Sequence, residues 1–402
     1  MLLREKIIVL VFVLGAYVYL FDQTTPYGDR YLENKTVNTS RYAVMQKGKV
    51  GYINFRGRLV IPSIYDDGAA YSAGDFILTK KGSAWGFIDQ LGDDIIPFNY
   101  FWAKEFSQGL AAVGVQTTNR IAPFYGYINT HGKETIPFIY DQVRSFTSDG
   151  LAAVKKDSLW GYVNIKGDIV IPSQFQDARD FYHGMAAIKK KGLWGYINYG
   201  GSIVIEPQFQ EAGEFSKGVA PVKVNGLWGY INLSGQWTLE PPKFTLAHSL
   251  SDNGFGMIED QGGVGFVDQN LKVILYSGQW SEVRDFSEGL AAVKVISDPK
   301  NKERGQWEYI DTHGKVIIPP MFDSAGDFKG GYARVSLNKN DIRRGYVNKI
   351  GKMIWDPADW QKSTTFKKNL YQWVFYAFTI YLILFIRYLK RRKELKKSQG
   401  VS

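Results

Sequence analysis

One unit of 34–43 residues is written nine times along this chain of 402 residues. Each copy centres on an aromatic residue followed by Ile or Val and then Asn or Asp. The anchors are Tyr52, Phe87, Tyr127, Tyr162, Tyr196, Tyr230, Phe266, Tyr309 and Tyr346, at spacings of 35, 40, 35, 34, 34, 36, 43 and 37. A period in this range marks a repeat architecture, in which each short unit survives by stacking on its neighbours. It directs attention away from a single catalytic cleft and toward an extended surface.

The stretch from Gly150 to Phe181 shows what one unit encodes. Leu151–Lys155, Trp160–Asn164 and Asp168–Ile171 read as three short antiparallel strands joined by turns. Pro172 closes the third, because it lacks a ladder donor and holds its predecessor extended. Phe175, Ala178 and Phe181 then recur every three residues, which fits one helical turn or an irregular wrap across the strand edges. The body is therefore predicted to be all-β. Aromatic residues make up 15% of the chain, a composition suited to half-buried pleated surfaces.

The recurring polar residues have local roles. Asn54, Asn129, Asn164, Asn198, Asn232 and Asn348, with Asp89, Asp268 and Asp311, stand where a side chain can accept backbone amides in an Asx turn. A glycine follows three residues later in eight copies and supplies φ > 0. The seventh copy has Leu271 there and is expected to turn differently. Trp-Gly recurs at Trp85, Trp160, Trp194 and Trp228. These indoles are expected to pack between units, with the glycine admitting a neighbouring backbone. A second signature runs Phe-x-x-Gly, apolar residue, Ala, from Phe106, Phe181, Phe215 and Phe286, with one residue more before the glycine in the copy from Phe146 and a looser copy from Phe328. Glu105, Asp180, Glu214, Asp285 and Asp327 precede such phenylalanines and read as turn or cap acceptors.

These signatures, above all Gly-Leu-Trp-Gly-Tyr-Ile-Asn at 192–198 and 226–232, resemble the WG (KWG) repeat family of bacterial proteins over roughly residues 43–355. The resemblance implies a β-rich body, often found in secreted or surface proteins, and no catalytic residue set. On spacing, the nine units are expected to form an open β-solenoid or superhelical array. A closed β-propeller, commonly of four to eight blades, is the alternative.

Two apolar runs leave the pattern. Residues 1–21 read as an N-terminal transmembrane signal anchor, and residues 370–387 as a C-terminal transmembrane helix. Linkers at 22–42 and 356–369 flank the nine-copy repeat domain at 43–355, and residues 388–402 form a basic tail. The formal charge is +10, of which residues 387–402 contribute +6 and residues 1–21 contribute +1. Basic residues outside both spans predict cytoplasmic termini, an inner-membrane location and an extracytoplasmic, periplasmic repeat body with the lipid bilayer as a partner. The charge lacks the clustered basic face of a nucleic-acid binder.

No catalytic, metal or cofactor residues are proposed from the sequence. It has no cysteine, and its four histidines, His131, His183, His248 and His313, form no ligand pair. A non-enzymatic role is expected. It would be either a membrane-anchored module binding a protein, or less readily a glycan, or a scaffold subunit of a membrane complex. Gly114–Tyr125, Leu239–Asp260 and Ile296–Gln306 are the expected contact loops.

Overall fold

The structure is a computed structural model describing residues 40–116, 123–296, 305–337, 344–356 and 386–387. The chain divides into two units, residues 1–354 with the sheets and residues 355–402, of which four residues are described. Nine four-stranded antiparallel sheets follow one another as blades. Blade 4 illustrates the plan: a short edge strand Gln142–Val143, then Leu151–Lys156, Leu159–Asn164 and Ile169–Phe175.

The short edge strand is absent from the three-strand reading. In blade 5 it is Asp177–Ala178, within the tail read as a helical turn or wrap. A two-residue hairpin links it to the next strand. His183 and Gly184 occupy its centre, both with positive φ, and Tyr182 bridges Met185. Gln108-Gly109, Lys217-Gly218 and Glu288-Gly289 repeat this geometry. Two left-handed central residues match the turn type that suits strand twist.

The Asx turns form as expected. Asn164 Oδ1 accepts the amides of Lys166 at 2.9 Å and Asp168 at 3.0 Å. Leu271 is a correction: the seventh turn is the same, with Asp268 Oδ1 accepting from Asn270 and Lys272 at 2.9 Å. Leu271 adopts φ +61 and is buried. Its side chain packs into the core, which offsets the left-handed strain.

Gly161 sits at a bulge between the third and fourth strands of blade 4. A Cβ there would lie 2.7 Å from the Ser173 amide nitrogen and 2.8 Å from the Pro172 carbonyl carbon. Both are backbone atoms, so Gly161→Ala should cost about 2–3 kcal/mol through overpacking. Denaturant unfolding checks this; an unchanged midpoint would mean that the bulge has no need of glycine.

The open-array expectation is overturned, because the blades close into a ring. The seam between blades is a repeated hydrogen bond. The Tyr162 hydroxyl donates to the Arg179 carbonyl at 2.7 Å, and those of Tyr127, Tyr196, Tyr230 and Tyr309 repeat the link to the next blade. Tyr346 of blade 9 makes it to blade 1, donating to the Ala43 carbonyl at 2.8 Å. In return, the Tyr42 hydroxyl donates to the Gly330 carbonyl at 2.7 Å. Blade 1 takes its short edge strand from Tyr71–Ser72, downstream in the chain, paired with Arg41 and Tyr42. Nine blades lie beyond the usual propeller range, which is why spacing alone pointed elsewhere.

Membrane anchoring is corrected as well. No helix among the described residues is long and apolar enough to cross a membrane. The segments read as spans, 1–21 and 370–387, fall outside the described residues apart from Ile386 and Arg387. The flanking helices, the inner-membrane location, the periplasmic assignment and the lipid partner all rested on those spans and are not retained.

Candidate functional site

The short strands form the inner rim of the ring. Residues just after them in successive blades lie close enough to perturb one another. Burial raises the Glu105 carboxyl in blade 3, and Lys329 in blade 9 opposes this. Only inner edges bring such distant blades within electrostatic reach.

Two positions per blade make this rim a belt of charge. The residue after the short strand is Lys104, Arg144, Arg179, Gly213, His248 and Arg284 in blades 3 to 8. The next is Glu105, Ser145, Asp180, Glu214, Ser249 and Asp285. A cation of one blade faces an acid of the following one. Burial raises the Asp180 carboxyl, and Arg144 of blade 4 opposes this most. Glu214 is raised by burial and by Asp180, and Arg179 opposes. Asp327 is raised by burial, with Arg284 opposing. His248 Nδ1 lies 3.2 Å from Asp285 Oδ2, and this bond raises the imidazolium above its ordinary range. The acids read as turn acceptors are thus mostly partners of the preceding blade. Asp180 Oδ1 and Asp285 Oδ1 are buried without a protein hydrogen-bond partner.

The belt arginines also cover the indoles. The guanidinium of Arg144 lies 5.3 Å from the Trp160 ring, Arg179 lies 5.2 Å from Trp194, and Arg284 lies 5.5 Å from Trp307. Cation–π attraction and packing act together there. These three indoles are buried, as expected for Trp160 and Trp194, whereas Trp85 and Trp228, expected to pack in the same way, are half-buried.

Two cavities open at the rim. The larger, about 620 Å³, is built from the inner hairpins of blades 5, 6, 7 and 8, including Tyr182, His183, Ser216, Asn253, Ser287 and Glu288. Its surroundings are acidic. The Tyr182 hydroxyl is raised by burial and then by Glu214, Asp180, Asp149 and Asp252. Glu288 is fixed by the Gly330 and Gly331 amides, at 2.7 and 3.0 Å, and by Lys349 at 3.2 Å. The smaller cavity, about 220 Å³, lies against Trp228.

A family model of the WG containing repeat matches seven segments: 85–115, 125–160, 160–194, 194–228, 228–263, 265–295 and 309–340. Together they cover more than half of the chain. The chain belongs to the WG-repeat family.

No curated protein matches this WG-repeat chain in sequence. Among solved structures, a eukaryotic initiation factor superposes with a TM-score of 0.57 at 11% identity, over 79% of this chain and 95% of that one. Kluyveromyces lactis Hsv2p matches with a TM-score of 0.37 at 8% identity, over 60% of this chain and 94% of that one. The first likeness shows the fold alone, and the second carries no argument.

Of the three expected contact loops of this WG-repeat ring, Leu239–Asp260 is a regular step from blade 6 to blade 7, and it supplies residues to both cavities. The central parts of the other two, 117–122 and 297–304, fall outside the described residues. Among the histidines, His248 is a belt residue, while His131 and His313 sit in exposed Asx turns. Among the described residues no group of three His, Asp or Glu side chains is placed to hold a metal.

Proposed function

We propose that this WG-repeat ring is a non-catalytic scaffold that holds a protein partner on the face carrying its inner hairpins. The supporting observation is the cavity of about 620 Å³, to which four successive blades contribute the turns at their inner ends. A groove assembled across blades suits an extended segment better than a small molecule. Glu214 and Asp252 line the cavity, and Asp180 and Asp149 act on its Tyr182, which favours a basic segment through electrostatic complementarity. Membrane attachment has no part in this reading.

A photo-crosslinking residue tests it in cells. Asn253 is exposed at this cavity, whereas Asn225 is exposed in the hairpin at the opposite ends of the strands. Substitution at 253 should give one discrete protein adduct, and substitution at 225 should not. Asp252→Lys should reduce the adduct at least about tenfold by placing like charge against the partner. No adduct at 253, or equal adducts at both positions, would overturn the reading.

A further inference from the structure

Gly213 interrupts the belt in blade 6, as Ala69 does in blade 2 and Gly326 in blade 9, and Trp228 beside it is half-buried. Backbone pairing defines the equivalent positions. The amides of Arg144, Arg179 and Arg284 donate to the carbonyls of Ala153, Ala187 and Ala292, each at 2.9 Å. In blade 6 the amide of Gly213 donates to the carbonyl of Pro221 at 2.8 Å. Gly213 therefore stands where sister blades carry the arginine that covers their tryptophan. Among the described residues, Lys223 lies 5.9 Å from the Trp228 ring. Pro221 replaces the sister alanine, and a Cβ on Gly213 would lie 2.6 Å from Pro221 Cγ. Blade 6 is thus built to exclude a side chain of its own at this position.

The cavity of about 220 Å³ lies at this place. It would hold roughly seven waters at about 30 Å³ each, which is also the scale of one long side chain. Trp228 and Pro221 give it an apolar wall, with Leu246 and Ala247, and Glu214 and Ser249 join it to the larger cavity. The charged groups around it are the carboxylates of Glu214, Asp180 and Asp285, the guanidiniums of Arg179 and Arg144, the ammonium of Lys223, and His248. Arg179 is already stacked on Trp194 and opposed to Glu214.

We infer that the cavity between Gly213 and Trp228 binds a guanidinium supplied in trans, an arginine side chain of the partner, which completes the belt where Gly213 interrupts it. This rests on the proposed partner-binding role and names the group recognised. The planar cation would stack on Trp228 as Arg179 stacks on Trp194. It would donate toward Glu214, a geometry that ammonium groups match less well.

The test is calorimetric titration of the full chain with Nα-acetyl-arginine amide, its citrulline counterpart, Nα-acetyl-lysine amide and free arginine. The acetyl-arginine amide should bind saturably, and the uncharged citrulline isostere at least about tenfold more weakly. Trp228→Ala should abolish binding. Gly213→Arg combined with Pro221→Ala rebuilds the sister-blade arrangement and should abolish it too, with an unchanged circular dichroism spectrum and melting temperature. If the double variant fails to fold, Trp228→Leu replaces it, with the same expected loss. Equal binding of citrulline, undiminished binding to the Trp228 variants, or absence of saturable binding would overturn the inference, while leaving the crosslink at position 253 to decide the scaffold role. Binding of free arginine but not of the capped amide would also overturn it, by assigning the cavity to a free metabolite.

Discussion

Trp194→Ala is expected to destabilise the protein by about 3–5 kcal/mol, the range for truncating a fully buried large aromatic. Trp194 is 4% exposed and packs with Tyr196, Ile205 and Phe209 in the core between blades 5 and 6. It lies opposite Phe209 in the register of its own blade. Arg179 and Lys189 lie 5.2 and 5.8 Å from its ring. Cation–π attraction accounts for only about 0.5–2 kcal/mol of such a loss, so burial dominates. Trp228→Ala should cost less, because that indole is half-buried beside a cavity. Guanidinium chloride unfolding of the two variants makes the comparison. A loss under about 1 kcal/mol for Trp194→Ala would show that the indole contributes little to the core.

The parts of this fold legible in the sequence are those governed by local chemistry. Asn164 and Gly167 lie three residues apart because one Asx turn needs both, and the structure places them in that turn. The all-β reading and the burial of Trp160 and Trp194 follow from the same short-range logic. In blades 1 to 7 the innermost strand escaped because it is only two residues long, as at Asp177–Ala178. Two residues carry no hydrophobic period. Leu271 misled because a left-handed non-glycine is uncommon, and only the core it enters makes it tolerable here.

The charge belt was hidden for a different reason. Position by position, Lys104, Arg144, Arg179, Gly213, His248 and Arg284 look like variable surface residues. Their common distance of two residues ahead of the next phenylalanine or leucine is the signal that the sequence carries. What a ring adds is proximity between blades, which places the acid of one unit against the cation of the unit before. No reading of one repeat at a time contains that relation. Gly213 becomes meaningful only against its sister arginines, and Trp228 only once the missing cover is recognised.

Ring closure has the largest expected consequence. In an open array, removal of a terminal repeat subtracts one unit and one interface, and the remainder still folds. Here blade 9 has two interfaces. Its Ala325, Phe328, Ala333, Val335 and Val347 share a core with Trp307, Tyr309 and Phe322 of blade 8. Its other side holds blade 1 through the Tyr346–Ala43 and Tyr42–Gly330 hydrogen bonds and the contacts of Tyr42 with Tyr332 and Tyr346, 5.2 and 5.4 Å between ring centres. A chain ending at residue 323 should therefore lose two seams and leave apolar faces open on blades 8 and 1. The expected result is loss of the cooperative transition, a deficit of at least about 5 kcal/mol, comparable with the whole stability of a marginal domain. Circular dichroism during denaturation, with sizing of the native state, measures it. Tyr346→Phe provides the graded counterpart, because it removes one cross-seam bond and strands a carbonyl, at about 1–3 kcal/mol. A truncated chain that unfolds cooperatively with only a one-blade decrement would mean that the seam between blades 9 and 1 contributes nothing, and that the units stand as an open array after all.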